Sequence, residues 1–239
     1  MTRGTVALCA LVALVAGCIA PQAARRRALH AAPPSAILAA LARREDATRG
    51  LRLSMTVRLA GTDHASPLPS PAYLAIDSTG AIRLQVLSAF GMTVLDLAIH
   101  GDSYTLDLPL RRQTTDGTID LRTLTDPTVA VSDRMIVALA LLFRPKARAD
   151  ACSGAAPATV ACKVGPTLVA RVTVDERLRP LREEYVRDDG SRLLVATYDD
   201  YRGDDPNASP GSLLIEDPAS GASMAIRVQR VRRAAAPRS

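Results

Sequence analysis

Four cysteines and three histidines are the side chains of this 239-residue sequence best suited to chemistry, and their spacing narrows what that chemistry is. Cys9 and Cys18 fall in an apolar N-terminal run, whereas Cys152 and Cys162 flank the small-residue segment SGAAPATVA. A cysteine pair this close, in an oxidising compartment, reads as a disulfide; two free thiols are the alternative. Closing so short a loop stabilises by about 2–3 kcal/mol. A redox or metal role needs tighter spacing or more ligands. His30, His64 and His100 lie in a tether, a loop and a turn, and none joins a nucleophile or metal set. The sequence holds no GxSxG, no HExxH and no glycine loop that could cradle phosphate. Asp199-Asp200 and Asp204-Asp205 could in principle hold calcium, but their spacing does not fit an EF-hand and they read as a charged loop. The sequence therefore reads as a non-enzyme with no cofactor and no metal.

Cys18 carries the clearest chemistry. Arg3 precedes an apolar stretch from Val6 to Ala16, which ends in Leu14-Val15-Ala16-Gly17-Cys18. A basic start, a short apolar core and small residues at the cut make a secretory signal. The small residues running into cysteine resemble the bacterial lipobox, which implies cleavage before Cys18 and acylation of its thiol and new amino terminus. On this reading residues 1–17 are the signal, and residues 18–34, rich in Ala, Pro and Arg, are a lipidated flexible tether. The apolar run is shorter than the roughly 20 residues a spanning helix needs, so the anchor is lipid. Two or more chains hold stably where one does not. Ile19 and Ala20 follow, with no acid. By the enteric sorting rule this implies the outer membrane, with the protein facing the periplasm.

Composition sets further bounds. Roughly 220 residues remain after the signal, enough for one domain with a sizeable core. The net charge is +6, and basic residues are almost all arginine, Lys146 and Lys163 being the only lysines. Arg25-Arg26-Arg27 could touch lipid headgroups or serve as solvated tether. The other arginines alternate with acids and are expected to form no stripe. Aromatics make up 3% of the chain, so a nucleic-acid partner is not expected; a monomer is.

The elements follow from periodicity. Ser35 is expected to cap a helix from Ala36 to about Thr48, closed by Gly50. From Leu51 the period switches to two: Leu51, Leu53, Met55, Val57 and Leu59 alternate with Arg52, Ser54, Thr56 and Arg58. Further strands are expected at about 72–77, 81–88, 92–99 and 103–109, joined by short turns. A strongly apolar helix follows within 124–144, built on Met135, Ile136, Leu139, Leu142 and Phe143 behind Ser132-Asp133 as N-cap. Strands resume at about 159–163, 167–175, 181–188, 191–198, 212–217 and 223–231. The expectation is a mainly β (α+β) domain over 35–233, with about eleven antiparallel strands, two helices and a short tail, 234–239.

The segment RLQVLSAFGMTVLDLAIHGDSYTLDLP, Arg83–Pro109, resembles the LolB-like outer-membrane lipoprotein receptors. In that family an apolar strand enters a turn containing Pro-Leu-Gly and a second apolar strand leaves it. Here the turn reads Ser88-Ala89-Phe90-Gly91. A central helix, REEYVRDDGSRLLVATYDDYR and SLLIEDPASGASMAIRVQRV continue the likeness in order. The resemblance implies an incomplete β-barrel with helices plugging its open side and an apolar space that takes lipid. Cavity candidates are Leu53, Met55, Val57, Leu84, Val86, Leu95 and Leu97 on strands, and Met135, Ile136, Leu139, Leu142 and Phe143 on a lid helix. It also implies that Phe90, with Gly91 giving the turn its positive φ, delivers cargo to the membrane; the alternative is that Phe90 folds back on the sheet. Leu68 is a second candidate for that role.

The implied function is acceptance of lipoprotein acyl chains, possible reception from a periplasmic LolA-like shuttle, and release into the outer-membrane bilayer. Two alternatives stand beside it: a carrier or sensor for another lipid on the same fold, and a structural envelope lipoprotein that binds nothing.

Overall fold

In β1 (Leu51–Ala60) the period-two pattern becomes an amphipathic ribbon, with Leu51, Leu53, Met55 and Val57 buried and Arg52 and Arg58 exposed. The same alternation recurs along the chain and gives one antiparallel sheet. The computed structural model describes residues 32–61, 68–120, 124, 126, 129–142 and 151–233. After α1 (Pro34–Thr48) and β1 come β2 (Ser70–Ile76), β3 (Ile82–Leu87), β4 (Thr93–His100), β5 (Ser103–Leu108) and β6 (Gln113–Thr118). Then α2 (Val131–Leu142) interrupts the meander. It resumes as β7 (Cys152–Ala156), β8 (Thr159–Lys163), β9 (Leu168–Val174), β10 (Pro180–Arg187), β11 (Arg192–Asp199), β12 (Ser212–Asp217) and β13 (Ala222–Arg233).

The strand order is β6-β5-β4-β3-β2-β1-β13-β12-β11-β10-β9-β8-β7, so the first and last strands pair at the centre and the sheet does not close. This is the mainly β, open-barrel class expected, with thirteen strands among the described residues where about eleven were anticipated. The two additions are the edges. β6 reads QTTDGT and β7 reads CSGAA, and neither has the apolar alternation by which a strand is recognised. Cys152 and Cys162 face each other across β7 and β8 and are joined as a disulfide.

Helix starts also differ from expectation. Ser35 is not the cap of α1: Pro33 occupies that position without a side-chain hydrogen bond, and Pro34 takes the first turn. A fixed φ and a missing N–H suit that place. The apolar helix, expected within 124–144, runs from Val131, so Ser132 and Asp133 lie inside it rather than ahead of it. Nor do the arginines avoid a stripe. Arg52 and Arg58 of β1 and Arg227, Arg230 and Arg232 of β13 lie on one outer face, because the register sets Arg52 opposite Arg232 and Thr56 opposite Arg227.

Beyond its first turn α2 is apolar all round, from Met135 to Leu142, which suits a helix buried on every side. Met135 to Leu141 are each at most 6% exposed, packed with the inner residues of β1–β5 and β10–β13 in the main core. The helix is therefore a plug in the trough of the sheet, not a lid over it. Polar contacts fix both ends: Arg134 Nη2 lies 3.1 Å from Asp217 Oδ2 in a largely buried ion pair, and Tyr185 Oη donates to the Leu141 carbonyl at 3.2 Å. A smaller core under the other helix gathers Ile37 of α1 with Val160, Cys162, Val172 and Val174.

Removing one partner of a buried ion pair strands the other charge, at about 3–5 kcal/mol. Arg134→Leu is accordingly expected to lower the unfolding free energy by about 3 kcal/mol in urea titration. A loss below about 1 kcal/mol, the surface-pair range, would mean the ion pair does not hold the plug.

Candidate functional site

Where α1 crosses the trough, the inner face of the sheet is not completely filled. A cavity of about 140 Å³ lies between the C-terminal half of α1, the end of α2 and the central strands. Leu41, Leu51, Leu53, Met55, Leu74, Leu142, Val172, Leu213, Ile226 and Val228 give it an apolar wall. Arg44, Glu45, Thr48 and Ser209 add polar groups, and Glu183 and Tyr198 bring a polar pair. An apolar cavity of about 150 Å³ accepts a molecule the size of benzene, so this space has room for a short stretch of hydrocarbon.

A second, wider opening of about 610 Å³ lies at the end of the sheet bearing the turns at 77–81 and 100–102. Ile76, Ile82, Ile99 and Ala140 form its apolar part, and Arg49, His100 and Asp102 its polar part. Glu45 and Thr48 line both spaces, so the last turns of α1 stand as the partition between them.

α1 is held more lightly than α2. It buries only Ile37 and Ala40. Its C-terminal half is seated by the loop after β11: Arg44 Nη1 donates to the Ala208 carbonyl at 2.8 Å, and its guanidinium lies 5.3 Å from the Tyr201 ring centre. Arg179 packs on the same ring at 4.6 Å, while Tyr201 Oη donates to the Pro180 carbonyl at 2.7 Å. Arg179 in turn pairs with Asp175 at 2.7 Å. The acidic loop is thus part of this clamp, with Asp204 paired to Arg177 at 2.6 Å. Among the described residues no cluster of three or more His, Cys, Asp or Glu side chains is arranged to hold a metal.

Glu183 is 2% exposed on the inner face of β10, in phase with Tyr185. Tyr198 Oη donates to its Oε2 at 3.1 Å. Loss of water around the Tyr198 hydroxyl, with the Glu183 carboxylate beside it, holds that phenol well above its ordinary range. Burial pushes Tyr201 up to about 12, against the opposing influence of Arg44 and Arg179.

The residues singled out from sequence separate into three groups. Leu53, Met55 and Leu142 line the cavity. Val57, Leu84, Val86, Leu97, Met135, Ile136 and Leu139 are buried in the surrounding core, with Leu95 partly buried against it. Phe143 and Cys18 lie outside the described residues. Sequence reading did not find Glu183, Tyr198, Arg44 or the β12–β13 wall. An acid in phase with Tyr185 on an apolar face was the available signal for the first.

At the opposite end of the sheet from the wide opening, the β3–β4 turn is closed by Gly91 N–H to the Ser88 carbonyl at 3.0 Å, with Gly91 at φ 78°. Ser88 Oγ accepts from the backbone N–H of Phe90 and Met92. Phe90 is 89% exposed, Met92 51% and Leu68 71%. The register of β2 with β3 brings Leu68 to the same end as Phe90, so the exposed apolar side chains gather at one tip. A bulge between Val86 and Leu87 sits just below the turn, a device that re-aims side chains.

No protein-family model matches the sequence, and no curated protein sequence does. Solved structures do share the fold. A LolA-superfamily protein of Nitrosomonas europaea is similar with a TM-score of 0.51 at 13% identity, over 87% of this chain and 96% of that one. A DUF1329-family protein of Desulfovibrio piger is similar with a TM-score of 0.55 at 9% identity, over 85% of this chain and 94% of that one. The chain has the LolA-like open-barrel fold.

The Tyr201 shift has a definite sign. Its folded pKa of about 12 exceeds the ordinary value of 10, so its contribution to stability is complete below pH 10 and is lost as pH rises through 12. Urea unfolding across that window should show stability falling in the parent. Tyr201→Phe should cost about 1 kcal/mol at neutral pH, from the lost hydrogen bond to Pro180, and flatten the alkaline fall. An equally steep fall in the variant would clear Tyr201 of that role.

Proposed function

We propose that this chain is an outer-membrane lipoprotein, anchored through Cys18 and facing the periplasm, that takes acyl chains of other lipoproteins into its half-barrel and releases them to the bilayer. The observation carrying this reading is the pairing of an apolar cavity beneath α1 with a hairpin tip of exposed Phe90 and Met92. Burying hydrocarbon yields about 0.8 kcal/mol per CH₂, so even a short inserted segment gives affinity without covalent chemistry. An exposed apolar tip is a poor feature for water and a good one for a membrane surface.

In the closed arrangement the trough is filled by α2, and the cavity of about 140 Å³ is too small for a whole acyl chain. Uptake therefore needs a helix to yield. α1 is the one to do so, since its C-terminal half is held by Arg44 and the Tyr201 loop, while α2 is buried along its length and pinned at both ends. Lifting the last turns of α1 removes the Glu45–Thr48 partition and joins the cavity to the wider opening. The tip would then present the cargo to the bilayer. The same cavity suits another single-chain lipid, and identification of the bound species separates these readings.

Mass spectrometry of organic extracts of the purified chain is expected to find acylated species, and Met55→Trp, which fills the cavity, is expected to reduce them severalfold. An empty extract from the parent would end the carrier reading. Phe90→Glu is expected to leave that bound material in place while abolishing transfer of a labelled lipoprotein into vesicles. Transfer at the parent rate would remove Phe90 from the delivery step.

A further inference from the structure

The outer face of the central strands carries a basic cluster that neither the cavity nor the tip uses. Arg52 of β1 stands directly opposite Arg232 of β13, and Arg230 stands opposite Ser54. Together with Tyr73, Arg83 and Gln85 these residues line a depression of about 410 Å³. Arg83 is already engaged, its Nε and Nη2 donating to Asp96 at 3.0 and 2.6 Å, and Gln85 Nε2 donates to the same carboxylate at 2.9 Å. Among the described residues Arg52, Arg230 and Arg232 form no ion pair. Like charges placed directly across a ladder repel, and packing does not require arginine at these outward positions.

We infer that this face docks an extended acidic segment of a partner protein. Arg230 and Arg232 are two apart on one face of β13, about 6.6 Å along the strand, and Arg52 lies across from the second. Carboxylates at alternate positions of an extended peptide repeat at that same spacing. Each guanidinium offers a planar fork that meets a carboxylate with two hydrogen bonds. Tyr73, half exposed, gives the segment a ring to lie against.

The choice of a protein over a bilayer rests on the reading that the Phe90 tip faces the membrane. Phe90 lies seven positions beyond Arg83 along β3 and its turn, up to about 23 Å at strand rise, and Arg52, Arg83 and Arg232 share a level at the far end of the sheet. That end also carries the wide opening rimmed by Thr79 and His100. A partner held there stands beside the entrance while the tip meets lipid.

The test uses the full chain in neutral detergent and a synthetic alternating Thr-Glu peptide, with the Thr-Gln peptide as its uncharged match. The Glu peptide is expected to bind, to weaken with salt, and to weaken about tenfold in Arg52→Ser/Arg230→Ser/Arg232→Ser. Phe90→Glu, which tests the membrane tip, should leave it unchanged, so the two readings fail separately. The triple variant should unfold at the parent urea concentration or above, since it relieves repulsion; should it unfold early, Arg230→Gln alone serves in its place. Equal binding of the two peptides, or undiminished binding by the variants, would overturn the inference. So would variants that lose flotation with phosphatidylglycerol vesicles but keep the peptide, which would make the occupant a lipid headgroup.

Discussion

An antiparallel sheet that curls without closing leaves one apolar face that water must not reach, and covering that face governs the rest of this molecule. The strands supply Leu53, Met55, Leu74, Leu84, Leu97, Ile215 and Ile226 from their inner sides, and α2 meets them with an unbroken run from Met135 to Leu141. Each buried Leu, Ile or Met contributes about 1.5–3 kcal/mol. That is why a helix apolar on all sides, unsuited to a surface, is stable here. The ion pair at one end and the tyrosine hydrogen bond at the other fix its position along the trough.

The second helix answers a different demand. α1 packs its Ile37 on the β8–β9 side, where the disulfide closes the sheet end, and then runs out over the trough with less and less beneath it. In its last turns Arg44 reaches two carbonyls and a tyrosine ring of the loop after β11. Two helices on one face therefore differ in tenacity: one is core, the other is a strap. The imperfectly filled space lies under the strap, and local opening follows the least buried element.

Much of this was legible in the sequence. β1 alternates so cleanly that its inner and outer faces were read directly, and the apolar density of 135–142 was read as a helix, though as a lid and not as the buried plug it is. The Phe90 turn was found through the likeness of Ser88-Ala89-Phe90-Gly91 to the Pro-Leu-Gly turn of a known family, not from local chemistry. β6 and β7 escaped because edge strands of Gln, Thr, Asp, Ser, Gly and Ala have no apolar period to detect. The arginine stripe escaped for another reason. It exists only through pairing of β1 with β13, residues about 180 apart in sequence, and each strand alone shows the ordinary polar side of an alternation. The cavity wall from Leu213, Ile226 and Val228 depends on that same long-range pairing.

The two edges of the open sheet are unequal in their vulnerability. At β7 the Pro34 ring packs against Gly154, and the disulfide ties the strand to its neighbour. At β6 the defence is chemical: the Tyr104 ring covers Gly117, and Thr and Asp side chains occupy the outward positions. Unsatisfied strand edges template the addition of foreign chains, so misassembly of this protein would begin at Gln113–Thr118, and polar residues there guard against fibrillar growth.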